Sequence, residues 1–148
     1  MILFMISLFK NDYNVMDLIF PLIILKANDS PIYVFCNKLE FGLVSPSGLS
    51  YYEDGTLYDS AGSVFELKGI LSIHNASFLQ CLKHFQRMKK VVPQLTYVRK
   101  IELPDFKNII KQHISSYPEY WELKDELEEL IPSIDDQNSI EEVISFLE

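Results

Sequence analysis

The apolar runs in the first half of this chain lie too close together for anything but antiparallel pairing. Leu22–Lys26 and Ile32–Phe35 are short, partly β-branched stretches, and the turn formers Asn28-Asp29-Ser30-Pro31 lie between them. Leu39–Val44 follows and is closed by Ser45-Pro46-Ser47-Gly48. The segment Leu49–Ser60 carries Asp54-Gly55 at its centre, flanked by Tyr51, Tyr52, Leu57 and Tyr58, which is a strong hairpin signal. A second turn, Ser60-Ala61-Gly62-Ser63, leads into Val64–Leu71, where Phe65, Leu67 and Leu71 alternate with Glu66 and Lys68. That alternation gives one buried and one wetted face. Parallel neighbours need a crossover of about a dozen residues or more, and no such length is available here. The expectation is an antiparallel meander.

Near residue 72 the period becomes helical. Asn75 or Ser77 is placed to cap a helix with Phe78, Leu82, Phe85 and Met88 on one face, ended by Pro93. A further strand is expected near residues 96–101 (Thr96–Ile101). Pro104 opens a helix with Phe106, Ile109, Ile110 and Ile114 inward. Pro118 opens another, with Tyr120, Leu123, Leu127, Leu130 and Ile131 inward, and Pro132 is expected to stop it. Ser139 with Glu142 three residues on forms a capping box before Ile140, Val143, Ile144 and Leu147. Short helices separated by prolines persist only when packed on something larger. The expected class is therefore α+β over residues 1–148 as a single domain, with residues 1–72 mostly strands and 73–148 mostly helices.

The means for one core are present: 148 residues, 48% apolar, with ten Phe and eight Tyr. A chain of this size needs no covalent staple. Cys36 and Cys81 are distant in sequence and lie in apolar surroundings, so both are expected reduced and mostly buried, as in a cytoplasmic protein. Residues 2–9 are apolar, but no basic residue precedes them and no small-residue cleavage pattern follows before Lys10-Asn11-Asp12. They read as a buried strand. The run from Leu18 to Leu25 is interrupted by Pro21, and neither run reaches the ~20 residues of a membrane-spanning helix. No membrane partner is expected.

Catalytic patterns do not emerge. His74, His84 and His113 form no His-x-x-x-His motif, and the two cysteines form no Cys-x-x-Cys pair. A zinc site needs three or four converging ligands. His113 reads as a partly buried structural histidine and His84 as a surface residue. There is no Gly-x-Ser-x-Gly elbow and, with five glycines in all, no phosphate-cradling loop. The expectation is a non-enzymatic protein without metal or cofactor.

Charge is the informative feature. Net charge is −8, but residues 1–102 sum to +1 while residues 103–148, with three Lys and twelve Asp/Glu, sum to −9. Within the first part Lys83, Arg87, Lys89, Lys90, Arg99 and Lys100 occur with no acid among them. Two readings stand side by side. An acidic surface keeps a small domain soluble and implies no partner. Alternatively, the acidic helices complement a basic macromolecule and steer its approach. Glu122, Asp125, Glu126, Glu129, Asp135 and Asp136 are the candidate partner-binding residues, because they fall off the apolar stripes or in the polar loop between helices. Nucleic acid is not an expected partner, since the acidic region repels phosphates.

Two segments carry a family likeness. The strand–turn stretch Leu57-Tyr58-Asp59-Ser60-Ala61-Gly62-Ser63-Val64-Phe65-Glu66-Leu67 resembles segments of bacterial immunity proteins. So does the tail from Tyr117-Pro118-Glu119-Tyr120-Trp121 through Ser139-Ile140-Glu141-Glu142-Val143. Such proteins are the cognate inhibitors of polymorphic and contact-dependent growth-inhibition toxins. The resemblance implies a cytoplasmic, non-enzymatic protein that binds the toxic C-terminal domain of a partner, often a nuclease with a basic substrate surface. The other function that fits the residues is an acidic soluble adaptor or small-ligand module with no toxin partner.

Overall fold

Four consecutive apolar residues, Leu22-Ile23-Ile24-Leu25, form the strand on which both halves of the core are built. The structure is a computed structural model that describes residues 12–13, 17–124 and 127–148. Its strands are β1 (Asp12–Tyr13), β2 (Leu22–Leu25), β3 (Tyr33–Phe35), β4 (Leu43–Val44), β5 (Gly55–Asp59), β6 (Ser63–Asn75) and β7 (Lys89–Lys100). The described helices are α1 (Lys38–Gly42), a 3-10 helix over Pro46–Tyr52, α2 (Phe78–His84), α3 (Leu103–Ser115), α4 (Pro118–Lys124), α5 (Leu127–Asp135) and α6 (Ile140–Phe146). The strands join one sheet in the order β1-β7-β6-β5-β2-β3, with β4 also paired to β7. Every pair is antiparallel. The α+β class and the antiparallel sheet followed by helices are as the sequence implies.

Because successive side chains on a strand point to opposite faces, β2 serves two cores at once. Ile23 and Leu25 join Tyr58, Val64 and Ile101 beneath Phe106, Ile110 and Ile114 of α3, Leu130 and Ile134 of α5, and Val143 and Ile144 of α6. Leu22 and Ile24 point the other way, into Leu57, Phe65, Leu67, Val91 and Leu95, and are covered by Phe41, Val44 and Tyr52. At about 1.5–3 kcal/mol for each fully buried aliphatic side chain, these four positions anchor both layers.

The β5–β6 turn closes the sheet at the helical end. Asp59 is 1% exposed, and its carboxylate accepts N–H groups from Ile19, Ala61 and Ser63 at 3.3, 3.0 and 2.9 Å. Ser60 reaches back to the Ile19 and Pro21 carbonyls through its N–H and hydroxyl. Gly62 sits at φ 83°, its carbonyl accepts the Ile101 N–H, and a Cβ there would lie 2.5 Å from the Ile101 carbonyl oxygen. Only glycine tolerates that combination.

Several expected elements are built differently. Leu39–Val44 is not a continuous strand. The Asn37 side chain accepts the Glu40 N–H and the Glu40 carboxylate accepts the Cys36 N–H, both at 3.0 Å. This reciprocal cap starts α1, which buries Phe41. Asp54-Gly55 is not a hairpin turn: with Pro46 in its first turn, Pro46–Tyr52 coils so that Tyr52 packs on Phe41 with ring centroids 5.4 Å apart. Its hydroxyl donates to the Phe41 carbonyl, and the strand starts at Gly55.

The helix expected to run to Pro93 ends at His84, where Phe85 turns left-handed at φ 53° and donates its N–H to the Leu82 carbonyl. Met88 is buried but lies off the helix, and its face of Phe78, Leu82 and Phe85 is exposed. Pro93 lies inside β7, opposite Ile70, where the register shifts. Such an irregularity accommodates a residue with no N–H to donate. The strand expected near residues 96–101 is the end of that longer β7.

Pro132 does not stop its helix either, because burial of Leu130 and Ile134 on either side carries α5 through it. Pro104 and Pro118 stand in the first turns of α3 and α4, and the Ser139 hydroxyl caps α6 by accepting the Glu142 N–H at 3.1 Å. Cys36 and Cys81 are free thiols, half-buried rather than mostly buried. The apolar run of residues 2–9 lies outside the described residues.

Two substitutions test this reading by urea unfolding. Asp59→Ala leaves three N–H groups without their acceptor and is expected to destabilise by roughly 3 kcal/mol. Ser139→Ala removes one cap and is expected to destabilise by about 1 kcal/mol. Equal effects from the two would contradict the role given to Asp59.

Candidate interaction surfaces

The helices that follow the sheet place their apolar stripes on Ile23, Tyr58, Val64 and Ile101, and this leaves their charged sides outward. Of the six candidate residues, Glu122 on α4, Glu129 on α5, and Asp135 and Asp136 at the end of α5 are all exposed. Asp125 and Glu126 lie outside the described residues. Asp135 has a structural task, since its carboxylate pairs with Lys111 at 2.7 Å. Lys107 donates to the backbone carbonyls of Asp135 and Gln137, so two lysines tie α3 to α5 at this point.

Glu142 is likewise engaged, accepting the Asn138 N–H at 2.7 Å. The carboxylates of Glu122, Glu129 and Asp136 have no ion-pair or hydrogen-bond partner among the described residues, and Glu128 and Glu141 add to the same acidic exterior. A hydrogen bond from the Tyr117 hydroxyl to the Ala27 carbonyl at 2.8 Å, and contact of His113 Nε2 with the Ser30 carbonyl at 3.1 Å, fix the α3–α4 junction to the β2–β3 turn. His113 is the structural histidine expected, and its ring lies 5.3 Å from that of Tyr117.

A second surface was misread from sequence. Beyond Leu67 and Leu95 the strands β6 and β7 continue as a longer hairpin arm, braced by β4 at Lys89 and Lys90 and ending in α2, of which no residue is buried. Phe78, Leu79 and Phe85 are 78, 75 and 93% exposed. The helix is held by its own loop: Ser77 and Gln80 form a capping box, Ala76 donates to the Met88 carbonyl, and Met88 donates to Cys81 Sγ at 3.4 Å. The signal was available. No acid occurs between Glu66 and Glu102, and a helix bounded by Lys83, His84 and Arg87 presents a basic flank beside its apolar stripe.

Titratable groups elsewhere serve structure. Burial raises the Tyr33 hydroxyl above its ordinary range, reinforced by its hydrogen bond to Asp29. Burial does the same for Tyr52 and Tyr58, offset at Tyr58 by nearby Arg99. The Cys36 thiol is pushed up to about 11, first by its hydrogen bond to Glu148 and then by burial, the opposite of an activated nucleophile. Among the described residues no three His, Cys, Asp or Glu side chains gather to hold a metal. No helix among them is long and apolar enough to cross a membrane.

Clefts of about 260, 240 and 320 Å³ lie in three separate places: at Gly55 and Lys68, at Lys107 and Asp135, and at Ser30 and Tyr120. No family model, curated protein or solved structure matches the chain.

The environment of Cys36 has a measurable consequence. With a thiol pKa of about 11, the thiolate is scarce near neutrality and its population keeps rising with pH after an ordinary thiol has levelled off. Alkylation of Cys36 in the folded protein is expected to be slow at pH 8, to climb beyond pH 9, and to speed up in Glu148→Ala. A rate matching that of a free model thiol would contradict this.

Proposed function

We propose that this protein is a non-enzymatic inhibitor, an immunity protein that works in the cytoplasm and neutralises a cognate toxin domain. The partner is a protein with a basic surface, most simply a nuclease whose phosphate-binding site the acidic helices occupy, and nucleic acid itself is not a ligand. The observation that carries this reading is the acidic exterior of α4–α6. Glu122, Glu129 and Asp136 stand exposed, and no cation among the described residues neutralises them. The chain beyond residue 102 carries −9 of charge.

Physical chemistry supports such a role in two ways. Glu129 is carried on α5, seated in the core by Leu130 and Ile134, and Glu122 on α4, whose Trp121 packs against the same core, so little backbone ordering is needed there on association, which is favourable for affinity. Like charges gathered on one surface raise the encounter rate with an oppositely charged partner. Asp135 contributes less to this, because Lys111 already offsets it. Asp125 and Glu126 remain in the proposal on sequence grounds.

The test begins with co-expression alongside the toxin-like product of the adjoining gene. Protection of the cells, and a complex of the purified proteins at micromolar concentration, are expected. Association should slow as ionic strength rises, since exposed charges are screened within about 8–10 Å. The triple variant Glu122→Lys, Glu129→Lys, Asp136→Lys should lower the association rate at low salt by about tenfold or more while leaving the thermal midpoint near that of the parent. Unprotected cells together with no complex would sink the immunity reading. Protection with salt-insensitive binding would keep immunity and discard the acidic surface as its basis.

A further inference from the structure

The exposed arm is chemically unlike the rest of the molecule. Phe78, Leu79 and Leu82 fall on one side of α2 at helical spacing, Phe85 follows as its C-cap, and all four are exposed. Phe85, the most exposed, takes its left-handed conformation as the C-cap of α2, its N–H donating to the Cys81 and Leu82 carbonyls. The same segment carries the exposed Lys83, Arg87 and Lys90 and the half-buried Lys89, whose ammonium donates to Asn75 Oδ1, and no Asp or Glu occurs from Leu67 to Ile101. A solvated helix has no use for such an apolar face, and a core helix would have buried it.

We infer that the tip of the β6–β7 arm is a docking surface for an anionic lipid bilayer, with Phe78, Leu79, Leu82 and Phe85 entering the acyl boundary while the cationic collar meets the headgroups. An apolar face with a lysine- and arginine-rich flank is the pattern of interfacial helices. Each such cation near an anionic surface strengthens binding roughly fivefold. Phe78 and Phe85 alone could stack on bases, but Leu79 and Leu82 share their surface, and leucine gains nothing from a nucleic acid and much from acyl chains. The collar argues against a second copy of the arm, because two cationic tips would repel each other.

The molecule's overall −8 does not stand in the way. The helical layer meets this hairpin at Val64 and Ile101, whereas the tip lies past Asn75, eleven residues along β6. At ~3.3 Å per residue that is roughly 30 Å or more, several times the ~8 Å over which charge is felt at physiological ionic strength. The sequence-based expectation of no membrane partner rested on the absence of a spanning segment. Adsorption at the surface needs none.

The experiment is co-sedimentation of the full-length protein with phosphatidylcholine vesicles, with and without phosphatidylglycerol, alongside sedimentation velocity of the protein alone. It requires no toxin, so its outcome is separate from that of the proposed inhibition. Binding is expected only to the phosphatidylglycerol vesicles. It should be abolished by Phe78→Ser with Phe85→Ser and weakened about tenfold or more by Lys83→Glu with Arg87→Glu. Both variants change exposed positions and should keep the parental circular dichroism. No binding to either vesicle overturns the inference. So does binding that survives both variants, or that is equal on phosphatidylcholine alone. A dimer dispersed by the phenylalanine variant, without vesicle binding, overturns it in favour of self-association.

Discussion

Burial of β2 on both faces is the constraint from which the rest of this structure follows. A strand whose alternate side chains enter two different cores cannot slip by one residue without exchanging Leu22 and Ile24 for Ile23 and Leu25 at every contact. Its neighbours hold the register: Ile23 lies opposite Val34 on one side and Tyr58 on the other. The helices are therefore satellites of the sheet. Mostly short, they gain their stability from the apolar surface that β2, β5 and the helical end of β6 and β7 provide.

The turn at Asp59 and Gly62 fixes where that surface ends. Asp59 gathers three N–H groups, and the Gly62 carbonyl receives Ile101 as β7 hands over to α3. From there the chain can only fold back over the face that holds Ile23 and Val64. The same geometry sorts charge. The helices, and with them most of the acid, are stacked at one end of the β6–β7 hairpin, while the cationic, acid-free segment is carried to the other. One fold thus presents two surfaces of opposite character, and the two functional readings follow from that separation.

How much of this was legible in the sequence depended on whether the signal was local. The β5–β6 turn, the Pro104 and Pro118 helix starts and the Ser139 cap each rest on residues within a few positions of one another and stand as read, except that the Glu142 carboxylate accepts the Asn138 N–H instead of closing a capping box on Ser139. The misreadings arose where a distant partner decided the outcome. Tyr51 and Tyr52 look like strand residues, but Tyr52 is held in a 3-10 turn by Phe41, eleven positions away. Pro93 looks like a helix stop and instead fits a strand irregularity opposite Ile70. Phe78, Leu82 and Phe85 have the spacing of a core stripe, and spacing alone does not say whether anything lies beneath them. Of the acidic candidates, sequence located the exposed side of the helices but could not separate Asp135, tied to Lys111 across α3 and α5, from Glu122 and Glu129, which have no ion-pair partner among the described residues.

Native-state hydrogen exchange tests the central claim most directly. If the helical layer exists only as a cover for the sheet, the buried amides of β2, β5 and α3 should exchange through one common opening, with the same free energy as global unfolding by denaturant. The amides of α2 should exchange far faster, through an opening that leaves the sheet intact. Exchange of β2 through an opening that leaves α3 protected would show the helices standing without the strand, and would contradict the account.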